Sequence, residues 1–179
     1  DQAVSGAGSR AIEEQIGQTA SLLNGKNPTI DVMPKQIAFN VIPEIDSFQD
    51  NGYTREEMKM VWETQKIFED DTIVVCPTCI RVPVSNCHSE SILVETEAKI
   101  SAAEAVKLFQ QTEGITVVDD LAAGSYPMPL DCSGKDDVFI GRIREDLSCA
   151  NGLAFWCVSD NLRKGAALNA VQIAEYMIS

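Results

Sequence analysis

The sequence predicts an α+β fold: a mixed, largely antiparallel sheet with helices on one face. Three observations lead there. Two helices are announced by capping boxes, Thr54 with Glu57 and Ser101 with Glu104. Several short runs alternate apolar and polar residues or are rich in β-branched ones. Helices and strands are also interleaved without a repeating β-α unit, which argues against a parallel α/β sheet.

In chain order, Ser9 to Leu23 reads as a helix, with Ile12, Ile16, Thr19 and Leu23 at helical spacing and Asn24-Gly25 as its stop. Asn27 to Lys35 carries two prolines and reads as a loop. Ile37 to Ile45 is apolar but broken by Pro43, giving a short strand and a turn. Tyr53 to Glu69 is a helix capped by Thr54, with Met58, Val61, Trp62 and Gln65 along one face. Thr72 to Val84 is β-rich. Ser85-Asn86 is a turn, and His88 to Thr96 alternates as a strand should. A helix follows at Ser101 to Gln110, then strands at Ile115 to Val118, Val138 to Arg142 and Leu153 to Val158. Asp160 to Ile178 closes the chain as a helix.

The 179 residues suffice for one good core, and 45% hydrophobic with 23% charged residues is ordinary globular composition. Net charge is -13, from 14 Lys and Arg against 27 Asp and Glu. Such a surface repels nucleic acid and anionic membrane, and no run approaches the apolar length that spans a bilayer. An anionic substrate would need cations gathered locally, which draws attention to Lys59 and Arg81. The first residues, Asp1 to Gly6, resemble neither a start with an initiator Met nor a signal peptide, and read like the interior of a longer protein. The six cysteines (Cys76, Cys79, Cys87, Cys132, Cys149 and Cys157) follow no framework and fit free thiols of a cytoplasmic protein.

His88 is the sole histidine and hence the default group for proton transfer near neutrality. A structural histidine is the equal alternative on composition alone; its place at the start of a strand after a turn favours a cleft. Arg81 lies in an apolar stretch seven residues earlier and, if the chain reverses at Ser85-Asn86, could meet His88 across a hairpin. It either pairs with a structural carboxylate, the commoner case, or holds a ligand carboxylate by its planar fork. Glu56 and Lys59 share a helix face, which by itself means a solvated pair contributing a few tenths of a kcal/mol. Cys76-Pro77-Thr78-Cys79 lacks a second pair or the histidines that zinc needs, so no metal site is expected. Cys87 and His88, adjacent on a strand, point to opposite faces and make a poor nucleophile–base dyad.

Several segments together resemble the aspartate-β-semialdehyde dehydrogenase family. They are Gln2 to Gly8, Ile37 to Pro43, Glu56-Glu57-Met58-Lys59, Cys79 to Val84, His88-Ser89-Glu90-Ser91, Val138 to Arg144 and Ser159 to Ala167. The resemblance implies a C-terminal catalytic and dimerisation domain, like those of glyceraldehyde-3-phosphate dehydrogenase-like enzymes, over residues 1–159. Residues 160–179 would form a closing helix that packs on an NADP-binding domain absent from this chain. It implies NADPH-dependent reduction of aspartyl phosphate to the semialdehyde through a thioacyl-enzyme, in a homodimer, on the route to lysine, threonine and methionine. By the same resemblance His88 is the general acid/base, Arg81 grips the substrate α-carboxylate, Lys59 meets the phosphate and Glu56 the amino group. Gln2 positions the substrate, and Ser5, Gly6 and Asn161 approach the cofactor. The family's nucleophilic cysteine precedes the position of Gln2 and is not in this chain, so these residues alone are expected to be inactive. A reductase of N-acetyl-γ-glutamyl phosphate and a catalytically silent paralogue kept for dimerisation are the alternatives.

Overall fold

The computed structural model describes residues 1–178; Ser179, the last residue of the expected closing helix, lies outside the described residues. The chain divides into two compact units, Asp1–Pro83 and Val84–Ser179.

The first unit begins with a 3₁₀ turn, Val4–Ala7, that leads into helix α1, Ser9–Leu23. Gly8 joins them at φ 92°, a left-handed region that a side chain would resist. Val4, Ala11, Met33, Ile37 and Ile42 form the core. The spacing of Ile12, Ile16 and Leu23 predicts an apolar stripe, yet Ile16 and Leu23 are exposed and Ala11, Gln15 and Gln18 are buried. Polar stitching turns the helix: the Glu14 carboxylate accepts the N–H groups of Asp31, Val32 and Met33. Gln18 Oε1 accepts those of Ile37 and Ala38 at 2.9 and 3.1 Å. The loop predicted there is thus held to α1 by side chains that satisfy its backbone.

Helix α2, Arg55–Phe68, has the predicted capping box, with Thr54 accepting from Glu57 N–H and Glu57 Oε2 accepting from Thr54 N–H. Buried Glu57 also accepts from Cys79 N–H at 2.9 Å, tying α2 to the segment expected as a strand. That expectation needs correction. Thr72 to Val84 forms no strand; it pairs only at Arg81, which bridges Gln2 on one side and Ile42 on the other. Pro77 and Pro83 remove ladder donors, and Val74 is exposed rather than packed. Ile37 to Ile45 likewise contributes a single bridge, at Ile42. β-rich composition gave the extended backbone but no continuous partner.

The second unit is the mixed sheet the sequence predicts. Its strands are β1 (His88–Glu95), β2 (Ile115–Val117), β3 (Val138–Glu145) and β4 (Gly152–Ser159), in the order β1-β4-β3-β2. β4 is antiparallel to β1 and β3, and β2 runs parallel to β3. Helix α3, Ala102–Gln111, starts at the predicted Ser101–Glu104 capping box and covers one face. Ala105 there joins Ile140, Ile143 and Leu153, and Phe109 meets Phe155 edge-on at 5.3 Å. The other face carries Phe139, Val158, Cys87 and Cys132, the last from the single turn α4, Pro129–Cys132.

Gly141 is required by space: a Cβ would lie 2.2 Å from Val118 O and 2.6 Å from Pro127 Cδ. Immediately after it β3 bulges at Arg142, φ 56°, and Asp119 accepts the N–H groups of Arg142 and Ile143 at 2.8 and 3.0 Å. The closing segment starts later than predicted, with a π-helical turn at Arg163–Ala167 and then α5, Leu168–Ile178. The side chain of Asp160 is used elsewhere, as described below. α5 buries none of its residues within its unit, and Val171, Ile173, Tyr176, Met177 and Ile178 are exposed.

Candidate active site

Of the residues singled out from sequence, Gln2 and Lys59 meet in the first unit on the carboxylate of Glu56. Glu56 sits in the first turn of α2, where the capping box fixes its backbone. Its Oε1 accepts from Gln2 Nε2 at 2.8 Å and its Oε2 from Lys59 Nζ at 3.0 Å. Lys59 is also 3.9 Å from Asp46. Half-burial of Glu56 raises its carboxyl, but the bonds from Gln2 and Lys59 and the fields of Lys59 and Arg81 bring it below its usual range. Lys59 in turn is raised, first by its bond to Glu56. The pair is therefore charged on both sides at neutral pH, and Gln2 is its third member.

Arg81 is held from two directions. Its backbone exchanges hydrogen bonds with Ile42, and its neighbours Ile80 and Val82 bond Gln2. Its side chain is 6% exposed, with Nη1 donating to Ala3 O at 2.7 Å. Burial pulls its pKa down, and the fields of Glu56 and Cys79 act the other way. Among the described residues no carboxylate lies within ion-pairing distance of Arg81. The structural salt bridge, the commoner role for such an arginine, is thus not what it does. The expected hairpin between Arg81 and His88 does not form either, since Arg81 pairs with Gln2 and Ile42 while β1 pairs with β4. Ser5 is buried in the 3₁₀ turn and Gly6 exposed beside it.

In the second unit His88 opens β1, half-buried, opposite Ser159. The residues before it are gripped by those after β4. Asn86 Nδ2 donates to Asp160 Oδ2 at 2.9 Å and to Ser133 Oγ at 2.8 Å. Cys87 N–H donates to Asn161 Oδ1 at 3.1 Å. Asp160 is 2% exposed. Burial raises its carboxyl, but N–H bonds from Gly134 and Leu162 and the Asn86 amide bring it below the usual range. Cys87 adopts φ 71° and is buried, and its thiol is pushed up to about 12 by burial first, then by Asp160 and Cys132. It stays protonated, so the adjacent Cys87 and His88 form no thiolate–base dyad. Asn86 and Asp160 were not singled out from sequence; Ser85-Asn86 signalled only a turn, and nothing local marks Asp160 as its anchor.

Among the described residues no cluster of His, Cys, Asp or Glu could hold a metal ion, and no helix is long and apolar enough to cross a membrane. The family model described as semialdehyde dehydrogenase, dimerisation domain, matches residues 1–164. Aspartate-semialdehyde dehydrogenase of Legionella pneumophila is 55% identical over 98% of this chain and 51% of its own length. The solved structure of aspartate semialdehyde dehydrogenase II complexed with ASA from Vibrio cholerae aligns with TM-score 0.95 and 53% identity, over 99% of this chain and 52% of that one. That of aspartate semialdehyde dehydrogenase with NADP from Candida albicans aligns with TM-score 0.62 and 27% identity, over 91% and 55%. The chain spans about half the length of the relatives it matches. With the mixed sheet and the Gln2–Glu56–Lys59 cluster in place, the match over residues 1–164 settles the family: the chain belongs to the semialdehyde dehydrogenases, as their dimerisation domain.

Proposed function

We propose that this chain is the substrate-binding and dimer-forming half of an NADP-dependent aspartate-semialdehyde dehydrogenase. The observation that carries the reading is Arg81. A guanidinium this buried, with a backbone carbonyl as its direct partner, is a costly arrangement for a purely structural residue. It suits a planar carboxylate supplied by a ligand. The chemistry of the cluster matches an amino-acid acyl phosphate: Arg81 for the α-carboxylate, Glu56 for the ammonium group, Lys59 for the phosphate. Gln2, bonded to Glu56, orients the substrate at the same cluster.

The reaction in this reading is attack of a cysteine thiolate, outside this chain, on the acyl carbon with loss of phosphate, followed by reduction of the thioester to the aldehyde. His88 moves the proton in these steps. Ser5, Gly6 and Asn161 would meet the NADP held mainly by the other half of the protein, and that cofactor supplies the hydride when bound. Of these, Gly6 fits an edge contact, since it is small and exposed and admits close approach, and the described residues hold no glycine-rich strand-turn-helix. The exposed apolar side of α5 is read as the surface that the nucleotide-binding half covers. The protein would be a cytoplasmic homodimer.

A chimera joining this chain to the remaining half of the Legionella pneumophila relative tests the reading. Reduction of aspartyl phosphate by NADPH, lost on Arg81→Ala, is expected. A folded chimera that reduces N-acetyl-γ-glutamyl phosphate instead, or neither acyl phosphate, would overturn it. The 179-residue chain alone should show no turnover.

A further inference from the structure

We infer that Asp160 and Asn86 are positioning residues for His88, forming a clamp that sets the base through the backbone of Cys87. Three consecutive residues at the end of β4 hold three consecutive residues at the start of β1. Ser159 is opposite His88 in the ladder, Asp160 takes the amide of Asn86, and Asn161 takes the N–H of Cys87. The grip has a local cost to offset. Cys87 is a non-glycine residue at φ 71°, a conformation that persists only where its surroundings impose it. Its N–H bond to Asn161 and the Asn86–Asp160 bond before it supply that constraint.

Asp160 is itself rigid. Its Oδ2 accepts from Gly134 N–H at 2.8 Å as well as from Asn86, and its Oδ1 accepts from Leu162 N–H at 2.9 Å. A carboxylate 2% exposed and fixed by backbone donors on both oxygens is a reference point, not a mobile counter-ion. Ser133 Oγ adds a second acceptor for Asn86 at 2.8 Å, so the amide is oriented by two partners. The turn entering β1 is thereby locked in one conformation, and the direction in which the His88 side chain leaves the strand is locked with it. Asp160 and Asn86 touch no reacting group and act only through His88. The inference rests on the proposed role of His88 as general acid/base.

The test uses the histidine count. His88 is the only histidine, so its imidazole carbon-bound protons are uniquely resolved in an NMR spectrum of the 179-residue chain. Asp160→Asn and the milder Asn86→Ala are expected to shift the His88 ring signals and broaden the Cys87 amide. Asp119→Asn removes a comparable clamp, the carboxylate over the Arg142 bulge, and should leave His88 unmoved. His88 signals unchanged in folded Asn86→Ala, or moved equally by Asp119→Asn, would overturn the proposal. In the active chimera Asn86→Ala should lower kcat about 10-fold with KM unchanged, and add no loss to His88→Ala. Additive losses would also overturn it. If His88→Ala alone leaves the rate intact, the role of the base has failed, whereas the spectrum still reports whether the clamp sets the ring.

Discussion

Gln2 Nε2 donates to Glu56 Oε1 across 2.8 Å, joining residues 54 apart in sequence through one carboxylate that also holds Lys59. Replacing that carboxylate by an amide separates charge from shape. Glu56→Gln keeps the volume, removes the counter-charge of Lys59 and the nearest negative field at Arg81. The expected loss of stability is about 1–2 kcal/mol, the scale of a hydrogen bond to a charged group, discounted for partial exposure. The pH sign follows from the depressed carboxyl. Its stabilisation is full above the unfolded value and disappears as pH falls through the lower folded value. Urea unfolding of wild type and Glu56→Gln should therefore differ at pH 7 and converge in acid. A gap that widens in acid would contradict this.

Glu14 anchors residues 31–33 by taking three successive backbone N–H groups, and its carboxyl is depressed below the usual range for that reason, against the opposing effect of burial. Glu14→Ala leaves those donors to water. A loss of about 2 kcal/mol is expected, with faster amide exchange at Val32 and Met33 than elsewhere in the first unit. Uniform acceleration would mean that the carboxylate only stabilises α1.

These two carboxylates show what the sequence revealed and what it hid. Both capping boxes, the two best-defined helices and all four strands of the sheet were legible, because each rests on local spacing. By spacing alone Glu56 and Lys59 are an i,i+3 pair, and only the family resemblance gave them and Gln2 roles; the link to Gln2 spans 54 residues and has no local signature. The stretch around Arg81 looked like a strand because propensity reports extended backbone, while a ladder also needs a partner, and here each side offers a single bridge. Ile16 and Leu23 misled for a related reason: long-range bonds of Glu14 and Gln18, not apolar spacing, set which side of α1 is buried.

Cys87 and Cys132 are both buried in one cluster, yet they should respond differently to the same change. Valine is close to cysteine in size, so Cys132→Val should cost under about 1.5 kcal/mol. Cys87→Val puts a β-branched side chain at φ 71°, adding about 1–3 kcal/mol of backbone strain. Thermal unfolding of the two variants checks the difference, and equal melting temperatures would show that the left-handed turn relaxes freely.

Gly141→Ala is expected to be poorly tolerated although its backbone is ordinary. The added methyl would meet Val118 O, a main-chain atom that cannot rotate away, at 2.2 Å. Relief requires β3 to part from the segment after β2, so a loss of about 3 kcal/mol is expected, the upper range for overpacking. Amide exchange at Val118, whose N–H bonds Ile140 O at 2.8 Å, should rise more than exchange along β1.

His88 carries the functional prediction. In the active chimera His88→Ala should leave the fold intact and lower the rate by ~10²–10⁴, the range for removing a general acid/base. Its half-buried place at the mouth of β1 makes truncation tolerable, since the ladder bonds there belong to the backbone. KM for the acyl phosphate should hold, because the proposed anion contacts belong to Arg81 and Lys59. Exogenous imidazole should restore part of the rate if the missing group is a proton carrier. A raised KM with unchanged kcat would instead make His88 a substrate contact, and an unchanged rate would remove it from the reaction.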